Sequence, residues 1–148
     1  HCVDPGVGGQ TTFSDASGIL ESRNSSTRQK WSEIEITYST DKVVHYGGSF
    51  SSPLIDQHPI SGEEVIRYAE PVTDLNPVKQ TFQGIAEDEQ EAFVKEMHEL
   101  LNNPRFCYEH TWQKGDIVLA DNFSLLHGRR AFREKCQRHL RRINILNH

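Results

Sequence analysis

The stretch Trp112–Arg142, WQKGDIVLADNFSLLHGRRAFREKCQRHLRR, decides how this chain is read. It sets one histidine, His127, just beyond a strand-like apolar run and follows it with Arg138 and Arg142, eleven and fifteen residues further on. An imidazole nitrogen is a good ligand for a ferrous ion, and a guanidinium fork suits the bidentate grip of a carboxylate. A metal ligand and an organic-acid clamp are thus written into one segment.

Outside that segment the sequence narrows the class of protein. At 148 residues the length prior favours a single domain over 1–148, with enough chain to bury a core. The hydrophobic share of 35% and a mean hydropathy of -0.64 exclude a chain built of membrane spans, and no apolar run approaches the roughly 20 residues that a transmembrane helix needs. A net charge of -5 argues against generic nucleic-acid binding. Yet Arg129, Arg130, Arg133, Lys135, Arg138, Arg141 and Arg142 gather near the C-terminus. A basic patch on an acidic protein suggests a small anionic partner. The cysteines Cys2, Cys107 and Cys136 are odd in number and lack C-x-x-C spacing, which disfavours a disulfide framework or a structural zinc. A reducing, cytoplasmic location is the expectation.

Periodicity outlines mainly β structure. Gln10–Ser14 carries Thr11, Thr12 and Phe13 and ends at Ser14-Asp15, which caps a short helix through Leu20. Ile34 and Ile36 alternate with polar residues in a strand over 33–38, and a second strand is expected over 42–46. Pro53–Asp56 and Glu64–Ala69 read as a hairpin through His58-Pro59-Ile60-Ser61-Gly62. Phe93, Val94, Met97, Leu100 and Leu101 mark a helix over 87–102. Strands are expected over 106–112, 116–120 and 139–146, with Gln113-Lys114-Gly115 as a turn. Strands of this number and spacing suggest a sandwich or barrel.

Trp112, Gly115, Asp116, Asp121, Asn122 and His127 fit the pattern W-x-x-G-D-x-x-x-x-D-N-x-x-x-x-H, with Arg138 and Arg142 following at fixed offsets. In this the chain resembles the TauD/TfdA family of Fe(II)- and 2-oxoglutarate-dependent dioxygenases. GGQTTFSDA, SPLIDQHPISGEEV and the distal segment occur in the family's order, so the resemblance covers nearly the whole chain. It implies a double-stranded β-helix, or jelly roll, with a flanking α-helix, incomplete on its N-terminal side.

The resemblance also implies a chemistry: oxidative decarboxylation of 2-oxoglutarate with O2, coupled to hydroxylation or a related oxidation of a small organic substrate, acidic or amino-acid-derived. His127 becomes the distal iron ligand, Arg138 the anchor of the 2-oxoglutarate carboxylate, Thr11 a hydroxyl donor to it, and Arg142 a second cosubstrate arginine. In a β-strand residues four apart share a face, so Arg138 and Arg142 are expected to point into the barrel while His139 and Arg141 point away. The Leu125–Phe132 and Arg138–Arg142 wording resembles branches that act on amino-acid-derived or isonitrile metabolites.

Two further iron ligands are expected from an H-x-D or H-x-E motif, which the sequence does not contain. The resemblance puts that motif upstream of His1. His1 and Asp4 have the wrong spacing to replace it, and a copper site at His1 would need a true mature terminus. Gly8-Gly9 lacks the lysine of a phosphate loop. Asp121-Asn122 is read as shaping the turn before His127, Trp112 as packing in the core, and His58 as part of a turn. The alternative to an enzyme is a non-catalytic jelly-roll module that binds anions without a complete iron triad. A homo-oligomer remains compatible with either.

Overall fold

The structure, a computed structural model, describes residues 1–40, 48–71, 77–132 and 137–145. Ten strands appear among them: β1 Cys2–Asp4, β2 Thr11–Asp15, β3 Glu35–Ser39, β4 Ser49–Pro53, β5 Ile55–Gln57, β6 Glu64–Ile66, β7 Lys79–Gln83, β8 Cys107–His110, β9 Leu125–Arg129 and β10 His139–Leu140. Three α-helices accompany them: α1 Ala16–Glu21, α2 Ser25–Ser32 and α3 Gln90–Leu101. All the strand pairings are antiparallel. They form sheets of order β8-β2-β9 and β4-β3-β7, with the ribbons β1-β10 and β5-β6. None of the described helices is long and apolar enough to cross a membrane.

The core lies between the helices and the strands beside them. Ile19 and Leu20 of α1, Trp31 of α2, Ile36 of β3, Ile66 of β6, and Phe93 and Met97 of α3 join one buried cluster. Phe93 is its hub, meeting Trp31, Tyr68 and Phe82 edge to face at 6.3, 6.1 and 5.7 Å. Each such contact adds about 0.5–1.5 kcal/mol beyond the area buried. The expected helix over 87–102 is observed as a 3-10 turn Glu87–Glu89 leading into α3. The expected cap at Asp15 is also present: its Oδ1 accepts the Gly18 N–H at 2.9 Å.

Other expectations need correction. The helix α2 has no apolar stripe, burying only Trp31, and is started by Asn24, whose Oδ1 accepts the Thr27 N–H at 2.8 Å. The strands β4 and β7 flank β3 and are largely exposed, so alternation in them is weak. The strand expected over 42–46 falls outside the described residues. The hairpin is shorter than expected, β5 pairing β6 from Ile55↔Ile66 to Gln57↔Glu64.

Residues 116–120, expected as a strand, are not one. Cys2 pairs with Gly115 and Asp116 through two backbone bonds of 2.9 and 2.8 Å, but beyond Asp116 no described strand lies alongside. Without a partner ladder the apolar alternation stays open, leaving Ile117 and Leu119 71% and 84% exposed. The strand expected over 139–146 ends at Leu140, where β10 runs out of β1; Ile143 and Ile145 are exposed, and Leu146 lies outside the described residues.

Gly84, after β7, has a φ of +80°, and a Cβ there would stand 2.1 Å from the Glu33 carbonyl oxygen. Both the left-handed conformation and the clash with backbone penalise any side chain. Gly84→Ala is expected to lower unfolding free energy by at least about 2 kcal/mol in urea titrations; an unchanged midpoint would contradict this packing.

Candidate functional site

The sheet β8-β2-β9 sorts its side chains by simple alternation. Thr11 lies opposite His110 on one side and Arg129 on the other, and Phe13 lies opposite Tyr108 and His127. Cross-strand partners share a face, so Thr11, Phe13, Tyr108, His110, His127 and Arg129 belong to one face. The other face turns to α3. Ser14 Oγ donates to the Leu101 carbonyl at 2.7 Å, and Arg130 bridges Glu109 at 2.6 Å and Asn102 at 2.5 Å. Gly128 faces the same way, where a Cβ would meet Thr12 Oγ1 at 2.9 Å.

His127 stands in the middle of β9 rather than beyond a strand, and it is exposed. Thr11 is its diagonal neighbour across the strand pair, a separation of about 7–8 Å in antiparallel sheets. Arg138 enters from the segment before β10 and donates from Nη2 to Thr11 Oγ1 at 3.3 Å. Its guanidinium carbon sits 5.7 Å from the Phe132 ring centre, and that of Arg129 sits 4.6 Å from the same ring. Gly9 makes room for this stack: with φ +65°, a Cβ there would stand 2.5 Å from Phe132 Cε1 and 3.2 Å from Arg138 Nη1. The GGQTT segment therefore supplies both a hydroxyl and the space beside the arginine.

Arg142 is not brought to this cluster. A shared face with Arg138 needs an unbroken strand, whereas β10 spans two residues and Arg142 lies exposed beyond it. His1 and Asp4 belong to the β1-β10 ribbon; the His1 amino group donates to the Arg141 carbonyl at 2.9 Å, and Asp4 accepts from Gly6 N at 3.2 Å. Among the described residues no three His, Cys, Asp or Glu side chains gather as a metal-binding set.

Trp112 and His58, expected in the core and in a turn, act at the site or brace it, and His110 joins them. Trp112 is half-buried, outside the hydrophobic core, and its indole N–H donates to Thr11 Oγ1 at 2.8 Å. His110 packs edge-on against that indole at 4.5 Å and bonds Asp116 through Nε2 at 3.1 Å. His58 accepts the Ile60 and Ser61 N–H groups at Nδ1, at 3.2 and 3.1 Å, so Nε2 carries the proton and donates to Asp121 Oδ2 at 2.8 Å. This clasp ties the β5-β6 turn to the loop that feeds β9. Only cross-strand register could have revealed the pairing of Thr11 with His110, and residue spacing does not encode that register.

The geometry agrees with comparisons to known proteins. The model of the taurine catabolism dioxygenase TauD, TfdA family matches residues 1–144. The chain belongs to the TauD/TfdA family. It is 42% identical to 3-((Z)-2-isocyanoethenyl)-1H-indole synthase of Fischerella ambigua (strain UTEX 1903), over 97% of this chain and 54% of that protein. It is 38% identical to a tyrosine isonitrile desaturase of Erwinia amylovora (strain CFBP1430), over 98% of this chain and 51% of that one. Among solved structures, PvcB, described as an Fe, alpha-ketoglutarate dependent oxygenase from an isonitrile synthetic pathway, superposes with a TM-score of 0.73 at 29% identity, covering 94% of this chain and 47% of that chain. The chain thus spans about half the length of these relatives, and the mainly β, double-stranded β-helix architecture inferred from its sequence stands.

The Asp121 carboxyl is held below its ordinary range, first by the backbone N–H of Phe123, which outweighs the opposing effect of burial, and then by weaker contributions from the His58 and Ser124 hydrogen bonds. A depressed folded value means that the stabilisation is present above the unfolded value of 3.8 and is lost as pH falls through the folded one. Asp121 is 47% exposed, so the effect is modest. Asp121→Asn is expected to flatten the acid limb of a melting-temperature profile between about pH 5 and pH 2, while lowering stability at neutral pH. An acid limb identical to the wild type would exclude Asp121 as a contributor.

Proposed function

We propose that this chain is the cosubstrate-binding half of an Fe(II)- and 2-oxoglutarate-dependent dioxygenase, forming one catalytic domain with the remainder of that enzyme. The observation that supports it is the contact of Arg138 with Thr11, 127 positions apart in sequence, on the face that carries His127. A dicarboxylate needs a cationic fork for its remote carboxylate and a neutral donor beside it. Arg138 and Thr11 are that donor set, and the guanidinium carbon of Arg138 lies 5.7 Å from the Phe132 ring centre. Membership of the TauD/TfdA family gives the arrangement its chemical context.

In this reading Arg138 binds the remote carboxylate of 2-oxoglutarate and Thr11 donates its hydroxyl proton to the same group. His127 offers a ring nitrogen to iron, and Arg142, outside the contact, draws anions toward the site. The other two iron ligands belong to an H-x-D or H-x-E element that these 148 residues do not contain. When bound, iron would let O2 supply the oxidising equivalents, two of them spent on 2-oxoglutarate, which leaves as succinate and CO2, and two on the substrate. The protein's own task is to orient the cosubstrate and keep the face of the sheet shaped for a small organic molecule.

For the substrate we propose an isonitrile derived from an aromatic amino acid, with desaturation or hydroxylation as the outcome. Support comes from the relatives named for tyrosine isonitrile and for an isocyanoethenyl indole.

Equilibrium titration tests the assignment. Wild-type chain is expected to bind 2-oxoglutarate, and Arg138→Lys to bind it at least about tenfold more weakly, because lysine loses the bidentate, charge-assisted pair. Equal affinities would sink the role of Arg138. Under argon, Fe(II) with 2-oxoglutarate is expected to give a metal-to-ligand visible band only in a protein that also carries the upstream H-x-D or H-x-E element. Cosubstrate binding without a band in that longer protein would favour the non-catalytic anion-binding module.

A further inference from the structure

We infer that Trp112 is a positioning residue that makes Thr11 an obligate hydrogen-bond donor to the cosubstrate. The inference rests on the reading of Thr11 and Arg138 as the 2-oxoglutarate site. A threonine hydroxyl has one proton to give and two lone pairs with which to accept. Trp112 Nε1 lies 2.8 Å from Thr11 Oγ1 and Arg138 Nη2 lies 3.3 Å from it. An indole N–H and a guanidinium N–H can only donate. Both lone pairs are therefore engaged, and the hydroxyl proton is what Thr11 has left to offer.

The consequence is chemical selectivity. A freely rotating hydroxyl would meet a donor or an acceptor equally well. Thr11, held this way, tolerates only an acceptor such as a carboxylate oxygen, and its rotor is set before the ligand arrives. Tryptophan is the aromatic side chain suited to this: phenylalanine has no polar atom, while tyrosine and neutral histidine can accept as well as donate.

The indole is itself held in place. His110, the cross-strand partner of Thr11, meets it edge-on at 4.5 Å and is bonded to Asp116 at 3.1 Å. Asp116 Oδ2 also accepts the Gln113 N–H at 2.8 Å, closing the turn that follows Trp112. The brace runs from that turn through His110 and the indole to the hydroxyl, so the W-x-x-G-D spacing serves the cosubstrate and not only the fold.

Nitrogen-15 NMR of the full chain tests this directly, because its two tryptophans, Trp31 and Trp112, give two indole signals that Trp112→Phe assigns. In the ligand-free chain Thr11→Val is expected to move the Trp112 signal and leave that of Trp31, buried in the core, in place. Added 2-oxoglutarate is expected to move the Trp112 signal of the wild type. Trp112→Phe is expected to weaken 2-oxoglutarate binding about five- to tenfold, the loss of one hydrogen bond, but to add nothing in the Thr11→Val background. A Trp112 signal indifferent to Thr11→Val, or an equal loss of affinity in both backgrounds, overturns the inference. If the wild type binds no 2-oxoglutarate while Thr11→Val still moves the Trp112 signal, the hydrogen bond stands and the cosubstrate reading fails, taking the donor role with it.

Discussion

Everything at the candidate site depends on β2 being paired along both of its edges. A strand hydrogen-bonded to β8 on one side and β9 on the other has no freedom of register, since a one-residue slip would turn every side chain to the opposite face. That constraint keeps Thr11 on the face of His127 and Arg129, and Ser14 on the face of α3. The Ser14 bond to the Leu101 carbonyl serves two ends at once: it satisfies a carbonyl in the last turn of α3 and it locks the strand against the helix. Position along β2 thereby becomes position relative to the core.

The core and the site divide the sequence between them. Apolar residues of α1, α2, β3, β6 and α3 build a cluster centred on Phe93 and Met97, away from the polar face of β8-β2-β9. The site can then be rich in histidine and arginine, because stability is supplied elsewhere. Polar clasps connect the two regions. His58 and Asp121 fasten the hairpin turn to the loop entering β9, and the Phe123 ring packs edge-on against His58 at 5.6 Å. In this way the start of β9, and hence the height of His127, is fixed from outside its own sheet.

Much of this was legible in the sequence, for identifiable reasons. Helix α3 announces itself by Phe93, Met97, Leu100 and Leu101 at helical spacing, and Asp15 by its capping side chain at the start of a short helix. The Thr11–Arg138 contact was available only through the family pattern, since no local rule joins positions so far apart. What escaped reading depends on partners that are not local. The segment 116–120 has the composition of a strand, but a ladder needs a neighbour, and the pairing with Cys2 stops at Asp116. Arg142 follows the same logic, since alternation transfers a face only while pairing continues. The size of Trp112 predicts a place in the core, as for most large aromatic residues, whereas its N–H needs an acceptor and finds it at Thr11.

The two guanidiniums on Phe132 complete the electrostatic argument. Arg129 and Arg138 approach one ring at 4.6 and 5.7 Å, and each gains about 0.5–2 kcal/mol from it, depending on solvation. Two like charges brought to one ring also repel, and an anion near them relieves that repulsion. The ring therefore does more than pack: it gathers positive charge beside a hydroxyl whose lone pairs are already engaged. A cation or a neutral donor arriving there would find no acceptor on Thr11, and an anion would find both charge and a proton. In the proposed cosubstrate site, selectivity for a carboxylate thus follows from the geometry of four side chains, Arg129, Arg138, Phe132 and Thr11, and of Gly9, whose missing Cβ leaves room for Phe132 and Arg138.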